Sequence, residues 1–323
     1  MIISASRRTD IPALYAEWLM HRVRAGFCLV RNPFNARQLR RVDLSPAAVS
    51  AMVLWTRNAG PLLPYLPELE ARGLRFVFQY TITGYPRALE PAAPAVQAAL
   101  AAFRDLSARL GPTGPERVLW RYDPIILCGV MDEAAHVANF TRLADALAGK
   151  TARVTISFLE MYRKTVRNLA RAPGLGVIDH DPARLRDLAA RLAGIAGARG
   201  IVMRSCACAE DLSAIGIAPG ACVDGGLLSR LFGIAAPAGH DAGQRAACRC
   251  AKSVDIGQYD TCVHGCAYCY ATADAARARA HRAAHDPHSP LLSGWPDDAS
   301  PSAPSAPSGF PAKPVGPRQA SLI

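Results

Sequence analysis

Apolar, β-branched and aromatic residues fall in short runs, separated by longer stretches whose apolar positions recur every three or four residues. Ile2-Ile3-Ser4-Ala5-Ser6 reads as a strand, followed by a helix from about Pro12 to Ala25 and a short strand from Phe27 to Val30. Ser45-Pro46 has the form of a helix N-cap with proline in the first turn, ahead of a strand at Met52-Val53-Leu54-Trp55. Arg75 to Thr83 (RFVFQYTIT) is the clearest strand, and an alanine-rich amphipathic helix follows from about Ala93 to Leu110. Arg117 to Tyr122, Arg153 to Phe158 and Gly200 to Arg204 continue the strands. Helices lie between them at Asp132 to Ala148 and Pro182 to Ile195.

Strand–helix–strand repetition at spacings of roughly 20 to 45 residues predicts βαβ units and a parallel sheet. Seven or eight strands favour a TIM-like (β/α) barrel over an open doubly wound sheet, because no glycine-rich phosphate loop follows the first strand. The expected organisation is a barrel body over 1–205, a cysteine-rich segment over 206–285 that completes the barrel, and a tail over 286–323. In that tail nine of 38 residues are proline, so it is expected to be disordered and the folded unit to end near Ala284.

Composition narrows the class. A chain of 323 residues, 50% hydrophobic and 20% charged, can bury a sizeable core. No run of 18 apolar residues occurs, and the apolar part of Met1 to Arg8 is too short for a secretory signal. The expectation is a cytoplasmic protein with no membrane partner. The net charge of +11 suits a polyanionic partner such as nucleic acid, yet the arginines are spread over helical faces.

Polar residues follow where the strands run out. Arg7, Arg8 and Asp10, then Arg57, Gln79, Arg121 and Asp123, would converge on one face of a parallel barrel, where substrates bind. Asp10, ahead of Ile11-Pro12, reads equally well as a helix N-cap. Arg121 and Asp123 lie beside Trp120 and Tyr122, where a charged pair costs desolvation unless it is paired or used. Several arginines together suit an anionic substrate. Arg7, Asp10, Arg121 and Asp123 are the candidate catalytic groups, and Arg8, Arg57, Gln79 and Tyr268 the candidate cofactor contacts.

Ten cysteines in a reducing compartment point to metal ligation rather than disulfides. Cys28 and Cys128 stand alone among apolar neighbours and read as buried small hydrophobes. The other eight lie between Cys206 and Cys269. In YDTCVHGCAYCYA, Cys262, Cys266 and Cys269 have the spacing C-x3-C-x2-C, and Gly265 lets the loop turn at positive φ. A [4Fe-4S] cluster normally takes four thiolates, so a loop supplying three leaves one iron open. His264 could be a ligand, but reads more readily as a loop donor or a spacer. Of the remaining five, Cys208, Cys222, Cys248 and Cys250 are the preferred set for a second centre, with Cys206 facing the barrel. That centre would be an auxiliary iron–sulfur cluster or a tetrahedral zinc. C-x-C is an unusual zinc spacing, which favours iron.

The loop resembles the cluster loop of the radical S-adenosylmethionine superfamily, in which an aromatic residue, here Tyr268, precedes the third cysteine. The resemblance implies that Cys262, Cys266 and Cys269 hold three irons and that the open iron chelates S-adenosylmethionine. An electron from the cluster then yields a 5′-deoxyadenosyl radical. HGCAYCY is also similar to the loop of lyases that repair ultraviolet-damaged DNA. Over nearly its whole length the chain resembles the uncharacterised prokaryotic family called domain of unknown function 1848, through ISASRRTDIP, LVRNPFN, LWTRN, QYTITGY, LWRYDPIIL and SVDIGQYDTCVHGCAYCYA. In radical enzymes the cysteine loop follows the first barrel strand, whereas here about 250 residues precede it. The expectation is a circularly permuted barrel, with Ser253 to Gln258 as the strand before the loop, Tyr270 to Ala284 as the helix after it, and Ile2 to Ser6 next in the ring. No Gly-Gly-Glu segment, the usual contact to the methionine amine, is present.

Two functions remain open. One is a radical S-adenosylmethionine-type iron–sulfur enzyme, with an electron donor and an unknown, anionic substrate. The other is a zinc-bearing, basic nucleic-acid-binding module.

Overall fold

The computed structural model describes residues 1–296 apart from 173, 177, 209, 236–240, 242, 243 and 246. The chain opens with β1 (Ile2–Ala5), α1 (Ile11–Leu14), α2 (Ala16–Ala25), β2 (Phe27–Asn32), β3 (Asn35–Asp43) and β4 (Ala51–Thr56). Next come α3 (Leu66–Ala71), β5 (Phe76–Thr81), α4 (Val96–Arg109), α5 (Gly114–Arg117), β6 (Val118–Ile125), α6 (Glu133–Leu147) and β7 (Arg153–Phe158). The remainder is α7 (Arg163–Leu169), α8 (Pro182–Gly197), β8 (Val202–Cys206), β9 (Ala218–Gly220), α9 (Gly225–Phe232), β10 (Ser253–Asp255) and α10 (Ala275–Ala283).

Eight strands form one parallel sheet in the order β10-β1-β4-β5-β6-β7-β8-β9, with β10 and β9 at its two ends. Each strand from β1 to β9 in this sheet lies beside its predecessor, so right-handed crossovers carry the helices to one face. On that face Leu54, Phe78, Trp120 and Ile156 pack with Leu19, Phe103, Phe140 and Leu192 of α2, α4, α6 and α8. Trp120 stacks on Phe140 with ring centroids 4.8 Å apart. The opposite face is covered by the chain after β8. There Ile2, Ala51, Val53 and Val77 meet Cys206, Cys222, Val223, Leu228, Cys248 and Cys250.

Sequence periodicity locates most of these elements, and the expected pairing of the Ser253 strand with Ile2 to Ala5 is present. Asp255 explains why it holds: its carboxylate accepts from Ser4 Oγ (2.8 Å), Ser6 Oγ (2.7 Å) and the Arg7 amide (2.8 Å). Three expectations change. The segment after Ser45-Pro46 makes only a turn, with Ala48 and Val49 amides donating to the Ser45 carbonyl. The strand at Phe27 pairs antiparallel with β3 in a hairpin outside the main sheet, because the tight turn between Asn32 and Asn35 returns the chain directly alongside it. The folded unit also continues past Ala284. Trp18 Nε1 donates to the Ser289 carbonyl at 3.0 Å, and Leu291 and Leu292 are buried. Local proline content hides this, because burial of two leucines and a capped indole outweighs it. Residues 297–323 of the expected tail lie outside the described residues.

Candidate functional site

The loop after β10 is fastened to the segment after β1. Tyr15 donates its hydroxyl to the Thr261 carbonyl at 2.7 Å, and Tyr270 donates to the Arg7 carbonyl at 2.7 Å. Gly265 turns at φ +70°, where a Cβ would also come within 3.3 Å of the Pro91 ring. The turn brings the thiols of Cys262, Cys266 and Cys269 within electrostatic reach of one another. Burial pushes Cys262 well above the usual thiol range and Cys266 up to about 12. Main-chain donors answer them: the amides of Ala271 and Thr272 each point at Cys269 Sγ from 3.3 Å, and the His264 amide serves Cys262. Amides aimed at sulfur stabilise a thiolate.

Beside Cys266 lies a buried polar knot. Arg57, just past β4, forms a bidentate pair with Glu90 at 2.9 and 2.7 Å and reaches the Tyr268 hydroxyl at 2.5 Å. Tyr268 and Thr83 donate to the same carboxylate. Burial works against the Arg57 cation, but Glu90, Tyr268 and Cys266 outweigh it and hold it charged. Asp10 caps α1 through the Ala13 amide (3.0 Å) and takes the Arg57 amide (2.7 Å) and His264 Nε2 (3.0 Å) on its other oxygen. The N-cap alternative for Asp10 is therefore realised, and His264 is committed to Asp10. Arg8 packs over the Tyr259 ring at 5.1 Å and reaches the Gly257 carbonyl at 3.4 Å.

The other polar candidates gather around the second group of cysteines. Arg121 pairs with Asp123 at 2.5 Å and donates to Cys222 Sγ at 2.7 Å, with Gln79 Oε1 at 3.4 Å. Gln79 donates to the Cys222 carbonyl at 2.7 Å, and Asp123 also takes the Ser157 hydroxyl. Arg7 and Arg121 both lie over Trp55, at 5.6 and 5.1 Å. Cys206 Sγ is 2.9 Å from Cys222 Sγ, and the Cys250 amide donates to Cys248 Sγ at 3.5 Å. Sulfur–sulfur hydrogen bonds pull Cys206 and Cys250 below the usual thiol range and push Cys222 and Cys248 above it. The structure thus brings Cys206 into this group. Cys208 turns its thiol toward the Cys206 carbonyl, 3.9 Å away, and burial pushes it up to about 11.

Cys28 and Cys128 are both buried, and burial pushes Cys28 up to about 12, as suits an inert core thiol. Among the described residues, no group of three or more His, Cys, Asp and Glu side chains is arranged to hold a metal ion. A cavity of about 90 Å³ opens beside Arg57, Thr83 and Glu90. A larger cleft of about 530 Å³, lined by Cys128, Asp132, Glu133, His180 and Arg184, contains none of the clustered cysteines. Several exposed arginines are paired, as Arg24 and Arg72 with Glu68 and Arg109 with Asp105. No described helix is long and apolar enough to cross a membrane.

Glu90, Asp255 and Trp55 were not legible as site residues. Glu90 is a single acid in an apolar stretch before a proline, and that isolation is the one signal it offers.

The family model described as Domain of unknown function (DUF1848) matches residues 2–271, a span that runs through the last cysteine of the loop. No curated protein and no solved structure matches the chain.

Proposed function

The chain belongs to the DUF1848 family, and from that premise we propose that it is an iron–sulfur enzyme of the radical S-adenosylmethionine type. Cys262, Cys266 and Cys269 would hold a [4Fe-4S] cluster through three irons. The eight parallel strands are read as a circularly permuted (β/α) barrel, with β10 as its first strand and β1 as its second. The observation that carries the reading is that three part-buried thiols at C-x3-C-x2-C spacing share one loop tied to the end of β1. The donor set fits such a group: soft thiolates, amides directed at sulfur, and the Arg57 cation beside Cys266 to offset anionic charge.

When bound, the cluster supplies an electron for reductive cleavage of a sulfonium such as that of S-adenosylmethionine. The chain's own residues do the rest. Tyr268, buried and held by Arg57 and Glu90, packs edge-on against Tyr85 at 6.2 Å and screens the thiols from water. Asp10 fixes His264 and, through the Arg57 amide, ties the loop to the end of β4. His264 thereby gives Nε2 to a carboxylate instead of a metal, which suits a cluster with an open corner. Arg8, which packs over Tyr259 and lies 4.0 Å from Asp255, would be the contact for an anionic group.

Anaerobic purification and reconstitution test this. About four irons per chain bound through this loop, lost in Cys266→Ser, together with dithionite-dependent formation of 5′-deoxyadenosine, are the expected results. An iron content untouched by Cys262→Ser, Cys266→Ser and Cys269→Ser would overturn the cluster assignment. An intact cluster that cleaves no S-adenosylmethionine would overturn the radical assignment.

A further inference from the structure

We propose that Cys206, Cys222, Cys248 and Cys250 form a second, separate metal centre: a tetrahedral four-thiolate site for one zinc ion that staples the two end strands of the sheet together. These residues come from three chain segments. Cys206 ends β8, Cys222 lies two positions beyond β9, and Cys248 and Cys250 lie just before β10. The sheet order leaves β9 and β10 at opposite ends, so a shared ion would join the edges that hydrogen bonding leaves apart.

Side-chain chemistry sets the ligand class. Each of the four is buried among Ile2, Ala51, Val53 and Val77, where alanine or valine would pack without a polar atom. They gather instead: Cys206 and Cys222 meet sulfur to sulfur, the Cys250 amide meets Cys248 Sγ, and the amide next to Cys222, that of Val223, meets Cys250 Sγ. The 2.9 Å separation of the Cys206 and Cys222 sulfurs sets the scale. Ligand sulfurs around one zinc ion stand about 3.8 Å apart, the edge of a tetrahedron with bonds of about 2.3 Å. Sulfurs bound outside the corners of an iron–sulfur cube stand wider than that. From 2.9 Å, the Cys206 and Cys222 sulfurs have about 1 Å to move apart to reach the first spacing and further to reach the second.

The surroundings suit an anionic product. Zinc held by four thiolates is a centre of net charge −2, and each thiol still protonated releases its proton to solvent on binding. Two guanidinium groups face it. Arg121 already donates to Cys222 Sγ at 2.7 Å. Arg7 is attracted chiefly by Cys250, and its buried Nη2 has no hydrogen-bond partner among the described residues. The Val223 amide points at Cys250 Sγ from 3.3 Å and the Cys250 amide at Cys248 Sγ from 3.5 Å. Cys208, whose thiol faces a carbonyl, lies outside the set.

Elemental analysis of the full chain, purified anaerobically with zinc and iron both supplied, separates this from the first centre. The expected result is about one zinc per chain, lost in Cys222→Ser and Cys250→Ser while loop-bound iron stays. Cys208→Ser should keep the zinc, and Cys266→Ser should lose iron only. If the serine variants do not fold, cobalt replacing zinc in the unmodified chain should show intense thiolate-to-cobalt absorption, and Cys222→His should shift that spectrum while retaining the ion. Zinc-free protein in which iron falls by half in Cys222→Ser would overturn the single-ion site in favour of a second cluster. A metal-free group with a Cys206–Cys222 disulfide, detected by mass spectrometry after alkylation, would overturn it outright.

Discussion

Glu90→Gln removes one charge from the knot of Arg57, Tyr268 and Thr83 while preserving side-chain volume, so no cavity contributes. Glu90 is 4% exposed and receives two hydrogen bonds from Arg57, at 2.9 and 2.7 Å. The amide that replaces one carboxylate oxygen would point a donor at donors, leaving the guanidinium buried without its counter-charge. Breaking a buried pair from one side costs about 3–5 kcal/mol, and the low end applies because Tyr268 and Cys266 still attract Arg57. Tyr268→Phe removes only a hydroxyl and leaves the ion pair intact, which should cost about 1 kcal/mol. Urea unfolding at pH 7, followed by tryptophan fluorescence on proteins in the same metal state, gives both from the shift in midpoint at constant slope. The double variant should lose less than the sum, because both changes act on one carboxylate. A Glu90→Gln cost below about 1 kcal/mol, or one smaller than that of Tyr268→Phe, would refute the view that the Arg57–Glu90 pair anchors the cysteine loop.

Three further outcomes follow from other parts of the fold. His136 is buried between the Tyr122 hydroxyl and the Ile126 carbonyl, and burial lowers its pKa. The unfolded chain therefore takes up a proton first, so stability is full above about pH 6.5 and falls as pH drops below it; His136→Gln should flatten that slope in pH-dependent urea titrations. Ending the chain at Ala284 removes Leu291 and Leu292, 1% and 2% exposed, and orphans the Trp18 indole N–H. At about 1.5–3 kcal/mol per buried leucine, the thermal midpoint should drop by about 5 °C or more, and an unchanged midpoint would show that this segment does not pack. Gly257→Ala would set a Cβ 2.0 Å from Ser6 Oγ and 2.5 Å from Ser6 Cβ. Its expected cost is about 2 kcal/mol, relieved more in a Ser6→Gly background, which removes both clashing atoms, than in Ser6→Ala, which removes only Oγ.

Local pattern made the helices and the parallel strands legible, since a period near 3.6 or a short apolar run depends only on neighbours in the chain. The C-x3-C-x2-C loop and the positive φ at Gly265 were legible for the same reason. Even the pairing of Ser253–Asp255 with β1 could be anticipated from the place of the loop. Contacts across long separations were not. Glu90 meets Tyr268 across 178 positions and Arg57 across 33, and nothing in the sequence near Glu90 specifies either partner. Spacing likewise could not choose between Cys206 and Cys208. They are two residues apart, and only the direction of the chain leaving β8 decides which thiol turns toward Cys222. Sequence alone determined which chemistry the chain can carry, because that lies in residue types and short spacings. Folding decided which groups share a charge, a proton or a ligand, because those energies depend on distance and burial, and both are set by the packing of the whole sheet.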